Sequence, residues 1–274
     1  MGKTSRTRRL VTAIVAIIVS NWGGLSAAKA GPADGIRIDR GLCVILGDAG
    51  ELLTADLAGR SDLLVYVQVD GLKAYQSACE AAEAVGLYGT RIFVGRGVFR
   101  HIALADNLAD LVIVREDAKG VDKAEILRVL RPGGVAETED KRIVKPAPEG
   151  LDDWSHPYHG PDNNPLSEDR IIKAPYLTQF LAEPYYGPLP QVAVASAGRI
   201  FKAFGHIAFK VREEPYLNTL VAFNGYNGTL LWKHALSETY MIHRNTLVAT
   251  PERVYVGDDR SCKVLDAATG RLAV

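Results

Sequence analysis

A hairpin written twice is the feature that most limits how this chain can fold. Leu220–Trp232 has a β-run with Val221 and Phe223, then Asn224, Gly225, Tyr226, Asn227 and Gly228, then β-formers from Thr229 to Trp232. Two glycines and two asparagines in five residues supply the positive φ that a tight turn between strands requires. The pattern returns over Val264–Leu272, where Asp266 and Gly270 stand 42 residues after Asn224 and Gly228. A four-stranded antiparallel unit repeating about every 40 residues is the period of a β-propeller blade. Upstream, Val192, Val194, Ile200, Phe201 and Ala203 flank a turn at Ala197–Gly198, and Thr246–Ala249 with Val254–Val256 flank one at Pro251–Glu252. Arg199 and Arg253 are 54 residues apart, 12 more than the later turns, which places an insertion between Phe204 and Asn218, around Arg212–Pro215.

The first half has a different rhythm. Apolar β-runs at Leu42–Leu46, Leu63–Val69, Thr90–Val94 and Leu111–Val114 alternate with helical stretches at Glu51–Leu57, Ala74–Val85 and Lys123–Leu130, the last stopped by Pro132, Gly133 and Gly134. Buried parallel strands separated by helices indicate an α/β, Rossmann-like doubly wound sheet. The expected fold class is therefore α/β plus all-β. The boundaries are 1–30 for a leader, 31–145 for the Rossmann-like domain, 146–190 for a linker and lead-in rich in Pro, Gly, Asp and Asn, and 191–274 for about two incomplete blades. Two blades cannot close a ring, so further blades or a partner chain are expected.

Residues 1–30 carry Lys3, Arg6, Arg8, Arg9 and Lys29 and no acid, followed by the apolar run Leu10–Val19 and an A-x-A pattern at Ala28 and Ala30. That is the layout of a secretory signal peptide, with export to a periplasm or cell envelope and no stable membrane span after cleavage; an uncleaved anchor is the other reading. The whole chain has 32 basic and 32 acidic residues, and removal of the leader leaves 27 against 32, which speaks against nucleic acid as a partner. Cys43, Cys79 and Cys262 are odd in number and far apart, which reads as buried small hydrophobes rather than a disulfide framework. Asp152, Asp153, His156, His159 and Asp162 are metal-type ligands, but Pro157 keeps both histidines off one helix face, and an Asx-rich turn with Trp154 in a core is preferred. His243 and Arg244 read as loop or interface hydrogen bonding, with an anionic group bound in a central channel as the other reading, and Asp258–Ser261 as a polar turn between strands; Tyr185 and Tyr186 read as hydrophobic contacts.

Two resemblances carry functional expectations. Leu127–Gly134 resembles the "LR-x-L-(R/K)-P-G-G" segment of class I S-adenosylmethionine-dependent methyltransferases over about 110 residues. Asp70, 23 residues after Gly47, falls where that family's acid holds the ribose hydroxyls, and Gly47 and Gly50 where its glycine-rich loop meets the cofactor. The segment from Trp154 onward is similar to pyrroloquinoline-quinone-type propeller proteins, in which Trp232 would dock against a neighbouring blade. The loop has only two glycines, and Gly95, Arg96 and Gly97 stand where an acid often contacts adenine. The expectation is therefore an exported scaffold for binding or assembly with a degenerate methyltransferase-like domain. The alternatives are an S-adenosylmethionine-dependent methyltransferase, and a quinoprotein oxidoreductase completed by further blades. Neither S-adenosylmethionine nor pyrroloquinoline quinone (PQQ) has a complete site in the sequence, and no catalytic residue is assigned.

Overall fold

The computed structural model describes residues 38–50, 57, 59, 61–174, 178–238, 246–257 and 261–273. The leader, most of Glu51–Leu57, His243, Arg244 and Asp258–Arg260 lie outside the described residues. Met1–Gly35 is one unit of the chain and Ile36–Val274 the other; all that follows concerns the second. No helix among the described residues is long and apolar enough to cross a membrane.

Strands β1 (Arg40–Leu46), β2 (Asp62–Val69), β3 (Ile92–Arg96), β4 (Ala109–Val114), β5 (Leu130–Glu137) and β6 (Arg142–Val144) form one sheet in the order β3-β2-β1-β4-β5-β6. All neighbours are parallel except β5 and β6. Helices α1 (Leu72–Ala84) and α2 (Lys123–Val129) pack beside β3 and β5. The central strands are apolar on both faces: Val44 and Leu46 join Val112, Val114, Ile126, Val129 and Leu130 in one core. Cys43 and Ile45, which alternate with them, are equally buried. Asp122 caps α2 by accepting from the Ala124 N–H at 2.9 Å.

The helix α2 ends at Val129, ahead of Pro132–Gly134 as expected, and Pro132–Gly134 lies inside β5. Ala109 pairs with Leu130 while Leu111 pairs with Val135, so Arg131–Gly134 forms a bulge. A bulge is where a strand tolerates proline and a glycine at φ +73 such as Gly133. The Gly133 N–H donates to Lys145 O at 2.8 Å and the Lys145 N–H to Gly134 O at 2.9 Å, extending the antiparallel β5–β6 hairpin.

The second half holds two antiparallel sheets. Strands β7 (Leu189–Ser196), β8 (Arg199–Ile207), β9 (Thr219–Asn224) and β10 (Leu230–Ala235) pair in sequence order, as do β11 (Leu247–Ala249), β12 (Arg253–Gly257) and β13 (Cys262–Asp266). The two repeated turns have the same geometry. Gly228 N–H donates to Asn224 O and Gly270 N–H to Asp266 O, each at 2.8 Å, with φ +72 and +68 at the two glycines. Arg199 pairs with Asn224 and Arg253 with Asp266, and a 3-10 helix, Val211–Tyr216, occupies the inserted stretch. Val194, Phe201, Leu220 and Trp232 share one core with Leu247, Val254 and Leu265 of the second sheet. The Trp232 indole N–H donates to Ala267 O at 3.1 Å, so its role is packing between the sheets. These sheets do not establish a propeller: seven antiparallel strands are described and they close no ring. Cys43 is buried as expected, but Cys262 is exposed.

The halves are pinned together by Asp110, an acid within the apolar β4. It is 1% exposed and accepts from Leu42 N at 2.9 Å, Asn224 Nδ2 at 2.9 Å, Asn227 Nδ2 at 2.7 Å and Arg131 Nε. The asparagines of the repeated turn therefore serve the first half of the molecule as well as their own hairpin.

Candidate functional site

The strand order reverses at β1. Leu46 lies between Gln68 of β2 and Val114 of β4, so the chain leaves β1 into the crevice outside the carboxyl ends of the parallel strands. That crevice is where open α/β sheets take ligands. Gly47 opens the turn at φ +95, its N–H donating to Gln68 O at 2.9 Å. A Cβ there would come 2.1 Å from Asp117 Oδ1, so both the backbone angle and the space demand glycine. Gly50, at φ +62, has open space around it and its N–H donates to Asp48 Oδ1 at 2.9 Å.

Asp70 follows β2 directly and is exposed. No hydrogen bond to its carboxylate is found among the described residues, which leaves both oxygens available to a diol. The β1–β2 register, Leu46 opposite Gln68, puts Gly47 and Asp70 just past the ends of neighbouring strands, Asp70 one residue further along. Beyond Asp70, the start of α1 and the end of β3 border an open concavity of about 390 Å³ lined by Leu72, Tyr75, Val94, Gly95 and Arg96.

Three groups at this edge were not assigned from the sequence. Asp117 takes the Asp48 N–H on both oxygens, at 3.1 and 2.9 Å, and Arg115 Nε donates to Asp48 O at 3.2 Å, so the end of β4 braces the turn after β1. Gln68 is 1% exposed and holds the segment after β3, donating to Val98 O at 3.1 Å and His101 O at 2.9 Å and accepting from Ala103 N at 3.0 Å. A glutamine inside the run Leu63–Val69 was the available signal, since a buried amide must be hydrogen-bonded.

The aspartate- and histidine-rich lead-in is a hydrogen-bonded turn. His159 Nε2 lies 3.0 Å from Asp152, whose carboxylate holds the imidazole pKa above its ordinary value, and Trp154 pairs with Ala195 of β7. Among the described residues no three His, Cys, Asp or Glu side chains converge as a metal site. Tyr185 and Tyr186, read as hydrophobic contacts, are 59% and 64% exposed.

No family model and no curated protein matches the chain. Among solved structures it is similar to one described as an S-adenosyl-L-methionine-dependent methyltransferase from Methanococcus maripaludis, at 21% identity, TM-score 0.35, over 50% of this chain and 66% of that one. It is also similar to a SAM-dependent methyltransferase from Aquifex aeolicus, at 19% identity, TM-score 0.32, over 36% and 56% of the two chains. The (4+2)-cyclase SpnF follows at 20% identity, TM-score 0.35, over 39% and 41%. The chain thus spans less than two thirds of the length of each, and no residue role is carried over from them. The expectation of an exported propeller scaffold with a degenerate first domain is corrected here. The first half forms a continuous six-stranded sheet with a switch-point crevice, and the antiparallel strands described after it close no ring.

Proposed function

We propose that this chain is an S-adenosylmethionine-dependent methyltransferase that takes its cofactor along the carboxyl edge of the six-stranded sheet. The observation that carries the reading is Asp70, a carboxylate without an intramolecular hydrogen bond among the described residues, set beside the glycine turn at the strand-order switch. The residues present fit the ribose end of the cofactor: Asp70 accepts the two hydroxyls, and Gly47 and Gly50 keep side chains off the turn. At Gly47 itself the space is filled by the Asp117 side chain, which has to turn aside to admit a ligand there. When bound, the cofactor supplies an electrophilic methyl group on a positively charged sulfur. The carboxylates of Asp48, Asp70 and Asp117 give the edge a negative field suited to that charge, with Arg96 and Arg115 beside them. In the same proposal the antiparallel sheets are two successive blade-like repeats, supported by their matching turns and by Trp232 packed on the Gly270 turn.

Titration calorimetry with S-adenosylmethionine tests the assignment. Micromolar binding that weakens about tenfold or more in Asp70→Ala supports it, since hydrogen bonds to a charged group are worth about 1.5–3 kcal/mol. Binding that is unchanged by the substitution, or no heat at millimolar ligand, overturns it.

A further inference from the structure

Strand β8 has two unlike faces. Phe201 and Ala203 enter the core with Trp232, while Lys202 points to the opposite face between Ala193 of β7 and Val221 of β9. It is half-buried, its Nζ is 5.3 Å from the centroid of the Phe204 ring, and among the described residues it forms no ion pair. An ammonium drawn out of water without a counterion is costly unless an anion is provided. Lys202 lines an open cavity of about 500 Å³, a volume typical of small-molecule sites.

Lys210 and Arg212 line the same cavity, and so do three exposed rings, Tyr185, Tyr186 and Phe209. The Arg212 guanidinium lies 5.1 Å from the Tyr186 ring centroid. The acid in this wall, Glu213, is 3% exposed and its Oε2 is already engaged by the Phe209 N–H at 2.7 Å and the Lys210 N–H at 3.3 Å. Glu183 faces the smaller cavity on the other side of Pro184 and Lys202. Three cations and three rings thus face one concavity whose wall carries a single, internally bonded carboxylate.

We propose that this cavity binds a small anion built on an aromatic ring, an aryl phosphate or aryl carboxylate, with Lys202 on the anionic group and the ring against Tyr185 and Tyr186. Both halves of such a ligand are needed, because stacking and cation–π contact fix the ring while the ammonium and guanidinium fix the charge. Burial pushes the Lys202 pKa down, and a bound anion restores the charged form. All the lining residues belong to 184–213, so this site is separate from the Gly47–Asp70 edge and does not rest on the methyltransferase reading.

Fluorescence titration of the full chain with 1-naphthyl phosphate and 1-naphthoate, against 1-naphthol and inorganic phosphate, tests it. At least one of the two anions should bind saturably, about tenfold or more tighter than either control. Lys202→Met should weaken that binding about tenfold or more and Lys202→Arg far less, with circular dichroism melting showing both variants folded. Should Lys202→Met fail to fold, Arg212→Ala, at an exposed position, should weaken the anion and leave 1-naphthol unchanged. No saturable binding of either anion at about 1 mM, or equal binding by wild type and the folded variants, overturns the proposal.

Discussion

Asp110→Asn changes one atom at a buried acid that accepts four hydrogen bonds. Oδ1 receives Arg131 Nε and Asn224 Nδ2, and Oδ2 receives Leu42 N and Asn227 Nδ2. Whichever way the new amide turns, its NH2 group faces two donors, so two of the four bonds are lost and the Arg131 guanidinium loses its counterion. Removing one partner of a buried pair costs about 3–5 kcal/mol. That is a large part of a typical total of about 5–15 kcal/mol. With a urea slope of about 2–3 kcal/mol per molar, the unfolding midpoint should fall by about 1–2.5 M. Tryptophan fluorescence follows the loss at Trp154, bridged to β7, and at Trp232, both in the antiparallel half, so a mutation in β4 read there reports the link between the halves. A drop below about 1 kcal/mol, the size of one ordinary hydrogen bond, would refute the claim that Asp110 holds the halves together.

Other substitutions have equally definite outcomes. Gly270→Ala puts a Cβ 2.5 Å from the Trp232 ring at φ +68 and should cost about 1–3 kcal/mol in thermal or urea unfolding, whereas Gly120→Ala, with open space around it, should cost under about 1 kcal/mol. Gly47→Ala should both destabilise the chain and abolish cofactor heat in calorimetry, since its Cβ falls on Asp117 Oδ1. Glu125 is held down to about 2 by its hydrogen bond to Arg128, below its usual 4.5. Its contribution is therefore present above pH 4.5 and lost as the pH falls toward 2. Glu125→Gln should flatten the fall in stability over that range, measured by urea midpoints at successive pH values.

Local chemistry was legible in the sequence and long-range chemistry was not. Asn224–Gly228 and Asp266–Gly270 declared themselves because positive φ and Asx hydrogen bonds are set within five residues, and the apolar runs of β1, β2 and β4 because buried parallel strands need nothing polar. Gly47 and Asp70 stood where the apolar runs of β1 and β2 end, and their reading as a site, with Gly50, came from the resemblance to the methyltransferase segment. Pro132–Gly134 marked the end of α2, but the bulge it forms in β5 was not legible, because only pairing with β4 and Lys145 creates it. Asp110 carried a visible sign, an acid in an apolar run, but its partners lie more than 100 residues away at Asn224 and Asn227. Asp117 and Lys202 could not be singled out, because what distinguishes them is the turn across the sheet in one case and a cavity between strand and insertion in the other.

The structure of the full chain with S-adenosylhomocysteine tests the central claim most directly. The account predicts both ribose hydroxyls within hydrogen-bonding distance of the Asp70 carboxylate, with Asp117 displaced from its seat over Gly47. A ligand bound elsewhere, or a crevice with Asp117 still in place at saturating ligand, would contradict it.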